Sequence, residues 1–191
     1  MFEGLGLRRL RHAPQQTPRA LCRWIPFRSH FELSLATPTA HGQFIKQAIS
    51  LAHRARDEGN HPFGAVLVLD GEVVLTATNS VNTDRDPTAH AETNLVARAV
   101  QQLPAEQLRR AILYTSCEPC AMCVGKMYWA GIRSVVYALA AEELAVLAGP
   151  DFLVPCRELF ARATETVTVI GPISSDEARA VHVGFWSQPA A

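Results

Sequence analysis

Three cysteines crowd into seven positions, in the run Thr115-Ser-Cys-Glu-Pro-Cys-Ala-Met-Cys123. Cys120 and Cys123 stand three apart, so on a helix they share a face and their thiolates can converge on one ion. Pro119, with no amide hydrogen, suits the position just before that helix, whose start favours thiolates. The fold must then bring a further ligand to this point from elsewhere in the chain. Cys22 and Cys156 complete an odd total of five cysteines, which fits a metal or catalytic site better than a disulfide framework. That usage points to a reducing compartment, and a cytoplasmic protein is expected.

The further ligand is found upstream, in Thr88-Ala-His-Ala-Glu92. A catalytic zinc takes three protein ligands and leaves the fourth tetrahedral position for water, and His90, Cys120 and Cys123 meet that count. Glu92 lies two residues from His90, within reach of the metal but not read as a ligand. Zinc lowers the pKa of water from about 15.7 toward 7, so a nearby carboxylate can accept its proton and return it to a leaving amine. This is hydrolytic deamination in outline. Three alternatives stand beside it: a structural zinc site closed by Cys117, a redox Cys-x-x-Cys pair, and a Glu92 that merely complements a helix dipole. The redox reading leaves His90 and Glu92 unexplained.

Around these motifs the chain reads as alternating helices and strands. Phe44, Ile45, Ala48, Ile49, Leu51, Ala52 and Ala55 recur at helical spacing from Gln43, and Gly59-Asn60 ends the pattern. Ala65 to Leu69 and Glu72 to Thr78 are strands joined by Asp70-Gly71, a two-residue hairpin signal. A helix is predicted from about Ala89 to Leu103, which puts His90 and Glu92 in its first turn. A strand over Ala111 to Thr115, a helix over Cys120 to Ala130, a strand over Ser134 to Leu139 and a helix over Ala140 to Leu147 follow. The tail reads as a short helix over Pro155 to Ala163, a strand over Thr166 to Ile170 and a last helix capped by Ser174 or Ser175. The alternation gives an α/β protein with helices packed on a sheet.

Residues 1–40 read as a separate Arg- and Pro-rich extension, poorly ordered, ahead of a domain spanning residues 41–191. The extension holds six arginines against Glu3 and Glu32, a net of +4, and the remainder carries 12 basic and 16 acidic residues, a net of −4. It is read as a dispensable leader rather than an organelle-targeting segment or a nucleic-acid arm. A negative main domain gives no electrostatic support to binding nucleic acid. The longest apolar runs fall well short of a membrane span.

The residues His90-Ala-Glu92 and Pro119-Cys120-Ala-Met-Cys123 resemble the signature of the cytidine-deaminase-like zinc deaminases. The resemblance extends over roughly residues 43–188. Pro62-Phe-Gly-Ala65, Asp86-Pro-Thr-Ala-His-Ala-Glu92, Tyr114-Thr-Ser-Cys-Glu-Pro-Cys120 and Tyr128-Trp-Ala130 look most like the bacterial guanine deaminase and nucleoside deaminase branch. It implies a three-layer α/β/α fold with a central mixed five-stranded sheet, a Zn2+ cofactor, a small-molecule purine substrate and a homodimer. It also places Cys117 in the approach loop, and backbone amides at Ala91 and Cys120 beside the reacting centre.

The same resemblance assigns Asn79 to hydrogen bonding of the substrate, against its plain reading as a turn former. Phe63 and Trp129 fall where the family carries aromatics against the base, although such residues pack cores by default. Asp151 falls near a second acidic residue of guanine deaminases, but Pro150 and Phe152-Leu-Val-Pro155 depart from the family there, and an exposed loop carboxylate is the better reading. His53 and His61 read as surface or packing residues, and His182, Phe185 and Trp186 as part of the final helical segment. Glu92 then carries the proton in a purine deaminase, guanine being the first substrate to try. A tRNA adenosine deaminase and a non-catalytic zinc-stabilised interaction domain are the competing functions.

Overall fold

The computed structural model describes residues 38–149 and 153–186. Helix α1 spans Pro38–Asp57, five residues earlier than Gln43, with proline at its first position, where the missing amide costs nothing. Its buried face is Phe44, Ile45, Ala48, Ile49, Ala52 and Ala55. The helix closes with the Asn60 amide donating to the Ala55 carbonyl and the Gly59 amide to Arg56, a Schellman pair.

Strands β1 (Gly64–Leu69) and β2 (Glu72–Thr78) form the expected hairpin. Asp70 and Gly71 both hold positive φ, 52° and 87°, which a primed two-residue turn requires and which glycine adopts without steric cost. A bulge between Leu67 and Val68 shifts the register. Helix α2 (Val81–Asp84) follows soon after Asn79, whose plain reading is a turn former, and α3 spans Ala91–Gln102. His90 is thus the residue before α3 rather than a member of its first turn, while Glu92 is in that turn. A short α4 (Ala105–Arg110) follows where no helix was anticipated.

Strand β3 (Ile112–Cys117) runs two residues beyond the expected Thr115, so Cys117 ends a strand instead of lying in the outgoing loop. Helix α5 (Ala121–Ala130), strand β4 (Ser134–Leu139) and α6 (Ala141–Ala148) come next, then α7 (Cys156–Phe160), β5 (Thr168–Ile170) and α8 (Ser175–His182). Phe185 and Trp186 lie past the end of α8, not within it. No helix among the described residues is long and apolar enough to cross a membrane.

The five strands form one mixed sheet in the order β2-β1-β3-β4-β5. β1 is antiparallel to both β2 and β3, whereas β3, β4 and β5 are mutually parallel along the sheet. Alternate residues of the central strands face opposite layers. Ala65, Leu67, Leu113, Val135 and Tyr137 pack with α3, α4, α5 and α7. Val66, Val68, Tyr114, Val136 and Ala138 pack with α1 and α8. Covered on both faces, β1 and β4 read as nearly continuous apolar runs.

This topology decides which ends meet. The antiparallel pairing sets Gly64, at the start of β1, beside Thr78, at the end of β2, and Ala65 beside Thr115 near the end of β3. The segment before β1, the segment after β2 and the loop after β3 therefore gather at one edge of the sheet.

Candidate functional site

At that edge two helix starts converge. His90 and Cys120 occupy the N-cap positions of α3 and α5, helices that pack against each other. Their ends carry the positive pole of the helix dipole, which favours thiolate and carboxylate groups.

The ligand atoms of His90, Cys120 and Cys123 all lie within 4.8 Å of one another, a grouping able to hold a metal ion. Cys120 Sγ is 3.6 Å from His90 Nδ1, Cys123 Sγ is 3.7 Å from the same nitrogen, and the two sulfurs are 3.6 Å apart. Bonds of about 2.3 Å to sulfur and about 2.0 Å to nitrogen, at tetrahedral angles, separate such atoms by about 3.5 to 3.8 Å. The triangle fits zinc in size, and one imidazole with two thiolates fits it in softness. Cys117 is not part of this group; it is buried among Val136, Leu139 and the apolar face of α1. The structural-site alternative thereby loses its fourth ligand.

The thiols themselves are strongly coupled. Hydrogen bonding from Cys123 and then from His90 draws Cys120 down to about 4, while sharing that bond, burial and the Glu92 charge push Cys123 far up. One proton between two sulfurs is what such a pair holds until a cation replaces it.

Glu92 lies against this group. Its Oε2 is 3.5 Å from Cys123 Sγ, and its Oε1 accepts a 2.8 Å hydrogen bond from Thr115 Oγ1. Only 5% exposed, the carboxyl is pushed above its usual range chiefly by burial and secondly by the Cys120 charge. A carboxyl so placed is poised to hold and release a proton. Ala91, buried, opens α3, so its amide points out of the helix start.

Asn79 follows β2 directly and is fully buried. Its amide donates to the Phe63 carbonyl at 3.0 Å and its Oδ1 accepts from the Val81 amide at 3.0 Å. Its Nδ2 has no hydrogen-bond partner among the described residues. A buried NH2 without an acceptor is costly, and an incoming ligand can supply one. Phe63 precedes β1, half-buried, its ring 5.2 Å from that of His182 and 6.1 Å from that of Trp186. His61 stacks obliquely on Trp186 at 5.2 Å, and burial, then the charge of His90, lower its pKa.

Trp129 is elsewhere. It is 86% exposed, near the far end of α5, with its ring edge-on to Tyr128. That end lies about 13 Å along the helix from Cys120 at 1.5 Å per residue. Asp151 lies outside the described residues, as do residues 1–37.

Three supporting residues escaped the sequence reading. Asn94 Nδ2 donates to the Thr78 carbonyl at 3.0 Å and to Ser80 Oγ at 2.9 Å, latching the Asn79 segment to α3. Glu118, almost buried, accepts the amides of Ala141 and Cys156, tying the loop before Cys120 to the starts of α6 and α7. Thr115 is the third. The available signal was a polar residue in an otherwise buried strand, Ile-Leu-Tyr-Thr-Ser-Cys.

The family model described as the cytidine and deoxycytidylate deaminase zinc-binding region matches residues 38–139. A probable cytosine deaminase of Schizosaccharomyces pombe is 36% identical over 148 residues, 75% of this chain and 90% of its own length. The guanine deaminase of Bacillus subtilis is 48% identical over 106 residues, 55% of this chain and 68% of its own. A solved structure from studies of A-to-I editing by tRNA:A34 deaminases superposes with a TM-score of 0.63 at 29% identity, covering 73% of this chain and 99% of that one.

Proposed function

Because the chain belongs to the cytidine and deoxycytidylate deaminase zinc-binding family, we propose that it is a zinc-dependent aminohydrolase releasing ammonia from a purine base, guanine being the first substrate. The observation that carries this reading is a buried carboxylate, Glu92, set 3.5 Å from one sulfur of a three-donor cluster.

His90, Cys120 and Cys123 would hold the ion. Zinc in such a site supplies the Lewis acidity that makes water a nucleophile near neutral pH. Glu92, with Oε2 on the side of the ligand cluster, would hold a proton there and return it to the departing amine. The Ala91 amide, at the start of α3, offers a donor to negative charge developing at the attacked carbon. Asn79 Nδ2, buried and without a partner among the described residues, offers its hydrogens to an acceptor on the base, and the Phe63 ring provides a face for stacking.

The 48% identity to the Bacillus subtilis guanine deaminase over 106 residues supports guanine as the first substrate, and the 36% identity to the probable cytosine deaminase over 148 residues keeps cytosine in the screen as its competitor. A tRNA substrate is the second reading, supported by the likeness to the structure from the tRNA:A34 deaminase work. It requires a basic surface for a folded polyanion, and residues 41–191 carry 12 basic and 16 acidic residues. An ammonia-release screen of zinc-loaded protein over guanine, guanosine, adenine, adenosine, cytosine, cytidine and tRNA tests the proposal. Guanine is expected to exceed every other substrate in kcat/KM by at least about 100-fold, the discrimination expected when a mismatched base leaves buried polar groups unpaired. Folded, zinc-loaded protein inert toward all of them would sink it.

A further inference from the structure

The short hydrogen bond on Glu92 comes from Thr115. Thr115 is fully buried on β3, the middle strand of the sheet. Its backbone is locked on both sides, opposite Ala65 in β1 and opposite Tyr137 in β4. The hydroxyl therefore projects from the part of the molecule least able to shift. Glu92 is less constrained: it stands in the first turn of α3 on a longer side chain whose terminal torsion is broad and roughly two-fold. Besides that hydroxyl, its own backbone amide and the Cys123 sulfur also bond the carboxyl.

The hydrogen bond from Thr115 Oγ1 to Oε1, 2.8 Å long, narrows that torsional freedom. With Oε1 held against the sheet, Oε2 is the oxygen turned to Cys123 Sγ, 3.5 Å away. We propose that Thr115 is a positioning residue for the proton carrier, holding Oε1 of Glu92 so that Oε2 alone faces the metal ligands. The inference rests on the deaminase reading of Glu92 for its effect on turnover, although the orientation it asserts can be observed without turnover.

Two pairs of variants isolate the hydroxyl. Thr115→Val differs from wild type by replacing the hydroxyl with a methyl group, and Thr115→Ala differs from Thr115→Ser by the hydroxyl alone. In the full chain, zinc-loaded, steady-state ammonia release from guanine is expected to show kcat lowered about 10- to 100-fold in the valine variant, the scale of a misplaced catalytic group. KM should stay within about three-fold and zinc content at the wild-type value, and Thr115→Ser should keep kcat within about three-fold of wild type. Should the valine protein fail to fold, the serine and alanine proteins carry the same comparison. Crystal structures of zinc-loaded wild type and Thr115→Val, or Thr115→Ser and Thr115→Ala, supply the second readout. The carboxylate is expected to turn away from its wild-type orientation only where the hydroxyl is missing.

An unchanged carboxylate orientation without the hydroxyl would overturn the inference whatever the activity. Equal, measurable kcat in hydroxyl-bearing and hydroxyl-free proteins would do the same. Absence of turnover in wild type on every base, with the orientation still dependent on the hydroxyl, would instead remove the deaminase reading and leave the positioning role standing.

Discussion

His182 shows how a single buried ring links burial to pH. It is 1% exposed; its Nδ1 accepts from Trp186 Nε1 at 3.3 Å and its Nε2 has no partner among the described residues. Burial, and then the charge of Arg56, lower its pKa from 6.5 to about 4. The unfolded chain thus binds this proton below pH 6.5 while the native state refuses it until about pH 4. The stabilisation is present in full above pH 6.5 and is lost as pH falls toward 4. Thermal melts of wild type and His182→Phe across this window should show a shallower acid decline in the variant; parallel declines would contradict the assignment. The grouping of His90, Cys120 and Cys123 with Glu92 beside them was legible because His-x-Glu and Cys-x-x-Cys are short local spacings. Thr115, Asn94 and Glu118 were not, because they act on partners 23, 16 and 38 residues away that only sheet register brings near.

Elements register the same division. The β1–β2 hairpin and β4 were readable from alternation and turn chemistry, since their boundaries depend on local backbone preference. Helix α2, four residues long, depends on a distant side chain: Asn60 Oδ1 accepts the amides of Asn82 and Thr83 at 3.0 Å each. The start of α3 was placed too early because His90 is no ordinary N-cap residue, its ring being turned to the cysteines. The contact of α1 with β1 is close enough to test. A Cβ on Gly64 would lie 2.4 Å from the Ala48 carbonyl oxygen and from Leu51 Cβ, and 2.7 Å from the Ala52 nitrogen. Gly64→Ala must push helix and strand apart, disturbing the 3.1 Å bond from the Gly64 amide to Ser116 Oγ. Urea unfolding is expected to show a loss of about 1–3 kcal/mol, the usual range for overpacking. A value within about 0.5 kcal/mol of wild type would mean that this contact is looser than described.

At the scale of the molecule, strand direction builds the site. With β1 antiparallel to β2 and β3, the approach to β1, the exit from β2 and the exit from β3 share one edge. Asn79, His90 and Cys120 can then come from three separate stretches of chain. Periodicity alone gave helices on a sheet; the mixed five-stranded sheet came with the family resemblance, because pairing between residues as far apart as Ala65 and Thr115 leaves no mark on local pattern. Trp129 falls outside that edge, and nothing in its own spacing distinguishes an exposed aromatic from one against a ligand.

The central claim is that this edge is a zinc site whose chemistry runs through one carboxylate. It is tested most directly by ammonia release from guanine with zinc-loaded wild type and Glu92→Gln side by side, zinc content and melting temperature being measured on the same samples. Glutamine keeps the shape of glutamate but cannot carry the proton. Turnover is expected to fall at least about 100-fold, with zinc still near one per chain and the melting temperature unchanged or raised, since a buried carboxylate has been neutralised. Wild-type turnover in the glutamine variant would contradict the account.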